Sequence, residues 1–387
     1  MYKIHILNAI SPKGLERLPR ENYDLNAELG SADAIMVRSA KMHDMALPES
    51  LLAVGRAGAG VNNIPVDALT EKGVVVFNAP GANANAVKEL VIAGMLMAIR
   101  NIGQGWQFAQ GLEGTDAEIH KAVESGKKHF VGFELPGRTL GVIGLGAIGV
   151  RVANAARALG MKVIGFDPSI SIDRAWELSP DVMQADSVDE LLAKADIVTL
   201  HVPLIDATRH LINEERLKFM KDNVVVLNFA RDGIVDEAAM VAALDSGKAY
   251  AYVSDFPSNL TKNHPRCLTF PHLGASTREA EDNCAIMVAD QLREYLENGN
   301  IINSVNFPEV KMPRRGTTRL AIANRNRPDM VGQISHLLGS AGVNIEHLVN
   351  ESRKDVAYTL MDLDRAIPAE TLDAISKIDG VLRVRVI

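Results

Sequence analysis

Short apolar runs alternate with stretches of helical periodicity over about the first 300 residues. The runs occupy residues 34–37, 74–77, 140–143, 162–166, 197–200 and 224–227, and residues 1–7 read as a first strand. Runs this short and this rich in β-branched side chains suit strands buried on both faces of a parallel sheet. Strands separated by helix-length segments imply a doubly wound α/β fold. The pattern predicts two such units. The first covers 1–97 and closes on an apolar helix over 86–98. A polar stretch over 111–128 separates it from the strand at 140, and the second unit fills the remainder of 98–277. A helix over 280–296, ended by Gly299, brings the chain back, so that 278–305 complete the first unit.

Pro308, Pro313, Arg314, Arg315 and Gly316 then form a turn-prone linker. After it the pattern reads strand 319–323, helix 330–341, strands 345–351 and 357–363, helix 369–378 and strand 381–387. That order, βαββαβ, predicts a small ferredoxin-like third domain over 317–387.

The residues between the strands at 140 and 162 carry the first chemical signal. Gly144-Leu145-Gly146-Ala147-Ile148-Gly149 follows a strand, opens a helix over 148–159, and precedes a strand that ends in Asp167, 18 residues beyond Gly149. In that setting each glycine has a reason. Gly144 allows a tight turn, Gly146 lets backbone N–H groups approach a pyrophosphate, and Gly149 lets helix and strand pack closely. The helix N-terminus adds a partial positive charge. Asp167 would accept hydrogen bonds from adenosine ribose hydroxyls and repel a 2′-phosphate, which favours NAD over NADP. A glycine-rich turn without a nucleotide is the bland alternative, and the context weighs against it.

Two residues at strand ends are suited to hydroxy-acid oxidation. Arg231 follows the strand at 224–227, and a guanidinium there can pair with a carboxylate in bidentate fashion. His272 follows the strand at 268–270 and has the chemistry of a proton shuttle. Singly, each reads as well as a surface arginine or a capping histidine. Together at the carboxyl ends of one sheet, they favour function.

Composition narrows the field. A net charge of −7 argues against nucleic-acid binding. No stretch of 18 uncharged apolar residues predicts a membrane span. The two cysteines, Cys267 and Cys284, have no metal-type spacing, which points to a reduced, cytoplasmic protein without a metal site. Cys284 lies in an apolar helical pattern and reads as core.

The glycine turn, Asn228-Phe229-Ala230-Arg231 and Pro271-His272-Leu273-Gly274-Ala275-Ser276-Thr277 resemble the D-isomer-specific 2-hydroxyacid dehydrogenases. Val37-Arg38-Ser39-Ala40, the segment Gly55 to Ile64, and Asn78-Ala79-Pro80-Gly81 match that family's substrate-domain signatures. The resemblance spans essentially the whole chain and is nearest to members that oxidise a phosphorylated hydroxy acid in the first step of serine biosynthesis. It implies His272 as acid/base and Arg231 on the substrate carboxylate, helped by backbone N–H groups of Ala59 and Gly60. It places Arg38 and Ser39 at the phosphate end and Asn83 on the substrate side. NAD would be lined by Gly144, Gly146, Ala147, Ile148, Gly149, Asp167, Val202, Pro203, Phe229, Ala230, Asp255, Gly274 and Ala275. Asn303, Ser304 and Val305 would lead out to the tail.

Two departures stand out. The family pairs its histidine with a glutamate four or five residues after the equivalent of Asp255, where this chain has Asn259 and Leu260. A carboxylate partner raises a histidine's pKa and fixes its tautomer, so kcat/KM is expected to break at a more acidic pH than a His–Glu pair gives. Asp232 stands where many members have glycine and sets a negative charge beside Arg231.

The tail resembles an ACT domain, a regulatory module that in serine-controlled members binds the amino acid between paired copies. The matching positions are Asn324, Asn326 and Asn344. Asn324 replaces a frequent histidine, and Asp329 replaces the glycine expected after Asn326-Arg327-Pro328. A tail used only for assembly is the alternative, and a homodimer or homotetramer is expected either way. Glyoxylate or hydroxypyruvate reduction, or a non-catalytic NAD-sensing role, are the competing functions.

Overall fold

The computed structural model describes residues 1–387. They form two compact units, 1–83 with 278–387 and 84–277.

The first unit holds a parallel sheet of β1 (Tyr2–Leu7), β2 (Tyr23–Asp24), β3 (Ala34–Val37), β4 (Ala53–Arg56) and β5 (Val75–Phe77), in the order β2-β1-β3-β4-β5. β3 is buried along its whole length, as its apolar run predicts. The helix Arg278–Asn298 returns to this sheet with Cys284, Ala285, Val288, Ala289, Leu292, Tyr295 and Leu296 inward, a spacing of three and four that lines one face. Gly55 on β4 permits the contact, since a Cβ there would lie 2.4 Å from Val288 Cγ1.

The second unit holds β6 (Thr139–Ile143), β7 (Lys162–Phe166), β8 (Met183–Gln184), β9 (Ile197–Leu200), β10 (Val224–Asn228), β11 (Ala249–Ser254) and β12 (Cys267–Thr269). All pair in parallel, in the order β12-β11-β10-β9-β6-β7-β8. The order reverses between β6 and β9, which opens a crevice at the carboxyl ends of the strands.

Two expectations about organisation are corrected here. The boundary predicted after residue 97 falls after Asn83. The helix Ala84–Ile99 is buried through Val87, Val91, Met95, Ala98 and Ile99 in the core of the second sheet. Its Gly94 lies under Phe229 and Val253. The helix Ile102–Gln110 precedes the polar stretch read as a separator, and that stretch itself forms a second helix, Asp116–Gly126. The second starts at a capping box in which Thr115 and Glu118 satisfy each other's backbone donors.

The tail has the predicted order. β13 (Thr318–Arg325), β14 (Ile345–Arg353), β15 (Val356–Leu363) and β16 (Val381–Val386) form an antiparallel sheet, β14-β15-β13-β16. Alternation sends Leu320 and Ile322 toward the helices Met330–Ser340 and Ala369–Ser376, where they meet Ile334, Leu338 and Ile375. The opposite face carries Ala321, Ala323, Val356, Tyr358 and Leu360 into one core with Phe77, Tyr295, Phe307, Val310 and Met312. The tail therefore keeps the sheet of the expected ferredoxin-like domain and packs it into the first compact unit. Fully buried Arg319 anchors it. Its Nε and Nη2 donate to Asp362 at 2.6 and 2.9 Å, and its Nη1 donates to the carbonyls of Asn298 and Met312 at 2.9 Å. No helix is long and apolar enough to cross a membrane.

Candidate active site

The turn after β6 shows why glycine is required there. Gly144 has φ +92°, and a Cβ on it would lie 2.5 Å from the carbonyl of His201. A Cβ on Gly149 would lie 1.9 Å from the carbonyl of Gly144. Gly146 caps the helix Ala147–Ala158 without a side chain, and a Cβ on it would meet nothing within 4 Å. The first N–H groups of that helix thus face open space with no capping oxygen, an arrangement that fits a pyrophosphate. Asp167, one residue past β7, is held from both sides. Its Oδ2 accepts from Leu145 N and its Oδ1 from Ser169 N, each at 2.8 Å. Lone pairs remain for ribose hydroxyls.

β9 delivers His201, Val202 and Pro203 to the reversal point. The His201 ring is buried, and burial pushes its pKa down to about 3. Its Nε2 meets Thr199 Oγ1 at 3.0 Å, whereas its Nδ1 has no partner.

β10 ends in buried Asn228, whose Nδ2 donates to the Arg231 carbonyl at 2.9 Å and whose Oδ1 accepts from Ala230 N at 3.2 Å. This ties the loop that presents Arg231. Phe229 beneath it stacks on Phe270, centroids 6.2 Å apart. The Arg231 guanidinium is exposed, bonds only the neighbouring Ala230 carbonyl, and forms no ion pair with Asp232. Its charge is available to a ligand.

Asp255, 1% exposed, follows β11, and its carboxylate builds the histidine turn. Oδ1 accepts from Leu273 N at 2.7 Å and Oδ2 from Gly274 N at 2.9 Å, while the Asp255 carbonyl accepts from His272 N at 3.1 Å. His272 itself sits at φ +55°, a conformation that few residues other than glycine adopt. Its exposed ring meets Phe256 edge-on at 5.2 Å and makes no hydrogen bond or ion pair. Asn259 and Leu260, both exposed, do not supply the missing partner. Ala275 is exposed just beyond the turn. His201, Asn228 and Phe256 were not singled out in the sequence. For Asn228 the signals were a polar residue ending an apolar strand and its place in the segment that resembles the family.

The first unit carries the substrate candidates. Arg38 follows β3 and pairs with Glu281 of the helix Arg278–Asn298. The N–H groups of Ser39 and Ala40 both donate to Asn8 Oδ1, at 3.2 and 2.6 Å. Arg56, ending β4, donates Nε to the Arg38 carbonyl at 3.0 Å. In the loop after it, Asn78 holds the Ala59 carbonyl at 2.6 Å and Ala79 N donates to the Gly58 carbonyl at 2.9 Å. The N–H groups of Ala59 and Gly60 have no acceptor, so two adjacent donors are left for a ligand. Asn83 is half-buried with an unengaged side chain.

In the tail the three asparagines share no hydrogen bond. Asn324 is buried, donates to the Arg325 carbonyl at 2.7 Å, and leaves Oδ1 without a partner. Asn326 donates to the Lys354 carbonyl at 3.0 Å, and the Asn344 side chain is free. Asp329 has φ +65° at the start of its helix, which explains why glycine is expected there.

Residues 92–274 match the family model for the NAD-binding domain of D-isomer specific 2-hydroxyacid dehydrogenases. The D-3-phosphoglycerate dehydrogenase of Methanocaldococcus jannaschii is 39% identical over 301 residues, 75% of this chain and 55% of that protein. The Haemophilus influenzae enzyme of the same name is 32% identical over 349 residues, 87% of this chain and 81% of that one. The chain thus spans little more than half the length of the archaeal relative. Among solved structures, NAD⁺-bound 3-phosphoglycerate dehydrogenase of Entamoeba histolytica superimposes with a TM-score of 0.60 at 26% identity, over 79% of this chain and 98% of that one. A glyoxylate reductase from Paecilomyes thermophila gives 0.63 at 28% identity, over the same shares.

Proposed function

The chain belongs to the D-isomer-specific 2-hydroxyacid dehydrogenases, and from that premise we propose that it oxidises 3-phospho-D-glycerate to 3-phosphohydroxypyruvate with NAD, the opening step of serine synthesis. The observation that carries the reading is the His272 turn. A left-handed non-glycine residue costs about 1–3 kcal/mol, and buried Asp255 spends both carboxylate oxygens holding it there. The ring gains no hydrogen bond in return. A side chain held out under strain without a hydrogen-bond partner is suited to moving a proton.

In this reading the Nε2 or Nδ1 of His272 takes the proton of the C2 hydroxyl as the carbonyl forms. Arg231 pairs with the substrate carboxylate, keeping C2 in one orientation. The free N–H groups of Ala59 and Gly60 would donate to the same carboxylate. Arg38 meets the distal phosphate. The helix N-terminus at Gly146 would hold the pyrophosphate of NAD, and Asp167 its adenosine ribose. NAD, when bound, supplies the hydride acceptor.

A reductase of unphosphorylated 2-oxo acids is the second reading. It gains from the ion pair that already occupies Arg38. Serine control through the tail is part of the first reading, supported by the buried, unpartnered Oδ1 of Asn324. If serine changed neither activity nor melting temperature, that part would fall. Self-association into a dimer or tetramer is supported by Ile102 and Trp106, exposed one turn apart on a single helix.

The test is His272→Ala. Turnover is expected to fall by about 100-fold or more while NAD affinity stays within about twofold, because the ring bonds nothing in the nucleotide turn. Unchanged kcat would end the assignment of His272, and a non-catalytic NAD sensor would show no turnover in the parent protein.

A further inference from the structure

Glu281 has no part in the reaction just described, yet it stands on the guanidinium that the reading gives to the substrate's far end. It lies in the first turn of the helix Arg278–Asn298, where a carboxylate is favoured by the helix dipole. The helix cannot carry it away. Ala280, Cys284 and Ala285 on either side of Glu281 are buried, and Ala285 abuts Gly14, where a Cβ would lie 2.5 Å from the alanine's own. The next residue, Asp282, is tied to Ser11 Oγ at 2.5 Å and to Lys13 Nζ at 2.6 Å. The backbone that presents Arg38 is fixed just as firmly, since its carbonyl accepts from Arg56 and the following N–H groups bond Asn8. Both side chains are about two-fifths exposed, so a ligand can reach the pair.

We propose that Glu281 is a specificity-determining residue, a built-in anion that competes with the substrate's distal group for Arg38. The proposal rests on the reading of Arg38 as the distal contact. A distal anion must share or take the guanidinium from a resident carboxylate whose effective concentration is high, and whatever binds remains beside that negative charge. The penalty therefore scales with the charge of the incoming group. It is largest for a phosphate dianion, smaller for a carboxylate and absent for a hydroxyl. Glu281 holds the affinity for phosphorylated ligands down, which keeps substrate and product exchangeable at a site otherwise built to grip them.

The test is calorimetric titration of the NADH-bound protein, in which no turnover occurs, with 3-phosphoglycerate, D-malate and D-glycerate. These end in a dianion, a monoanion and a neutral hydroxyl. Unit charges about 6 Å apart at the dielectric constant of water interact by an amount equal to roughly threefold in affinity. Glu281→Gln is thus expected to tighten 3-phosphoglycerate roughly tenfold, tighten D-malate roughly threefold and leave D-glycerate unchanged. The gain should shrink when Arg38→Ala is added, because the competition for the guanidinium is then gone and only the direct repulsion is left. Weaker binding of 3-phosphoglycerate by Glu281→Gln would overturn the proposal, making Glu281 a residue that orients Arg38. Equal shifts for all three ligands, or no binding of any of them to either protein, would overturn it too. Graded shifts in a protein that does not turn over 3-phosphoglycerate would leave the proposal standing and sink the activity instead.

Discussion

Asp255 meets three requirements at once: it is buried, it follows a strand, and it holds two backbone N–H groups of a turn whose histidine is strained. Replacing one oxygen by an NH₂ sets donor against donor at Leu273 or Gly274. Asp255→Asn is expected to lower kcat/KM roughly 10- to 100-fold, as small displacements of a reacting group do, and to cost about 1–3 kcal/mol of stability. Steady-state kinetics and urea unfolding read the two effects. His201 gives a second prediction at this scale. Its folded pKa of about 3 lies below the ordinary 6.5 because burial disfavours the charged ring. The stability tied to the neutral ring is present above pH 6.5 and is lost as pH falls toward 3, at about 1.4 kcal/mol per pH unit. His201→Leu should flatten that part of the stability profile between pH 6.5 and 4, and an unchanged slope would count against it. The placement of Gly144, Asp167, Arg231 and His272 just past strand ends could be read from the sequence. The roles of Asn228, Phe256 and His201 could not, because each depends on what folds against it.

Among elements, the buried parallel strands were the most legible. Residues 34–37, 162–166 and 197–200 recur unchanged as β3, β7 and β9, since strands covered on both faces must be apolar throughout. The helix Ala84–Ile99 shows the limit of that signal. Its apolar face predicts burial but carries no mark of which sheet it covers, and it lies on the second. The helix Asp116–Gly126 buries almost nothing, so its polarity resembled a linker. The tail's attachment likewise hinges on a pair far apart in sequence. Arg319→Met leaves Asp362 buried and uncompensated, and should cost about 3–5 kcal/mol. Adding Asp362→Leu should restore part of that loss, because two apolar residues can replace a buried ion pair at little cost. Denaturant unfolding of the single and double variants checks both, and a double variant less stable than the single would contradict the account.

At the scale of the molecule, the ferredoxin-like tail and the five-stranded sheet share one core through Phe77, Tyr295, Tyr358 and Leu360. A ligand that ordered the tail would therefore act on the packing of the first unit without needing a hinge. The net charge of −7 does not attract an anionic substrate, so the proposed reading rests on local cations, Arg231 free in one unit and Arg38 shared with Glu281 in the other. The most direct test of the central claim is NADH formation from NAD with 3-phospho-D-glycerate set against unphosphorylated D-glycerate and against hydroxypyruvate in reverse. The account predicts turnover with NAD and a kcat/KM at least about tenfold higher for the phosphorylated acid than for D-glycerate, the factor that 1.4 kcal/mol of added binding in the transition state supplies. Preference for an unphosphorylated acid, or for NADP, would contradict it.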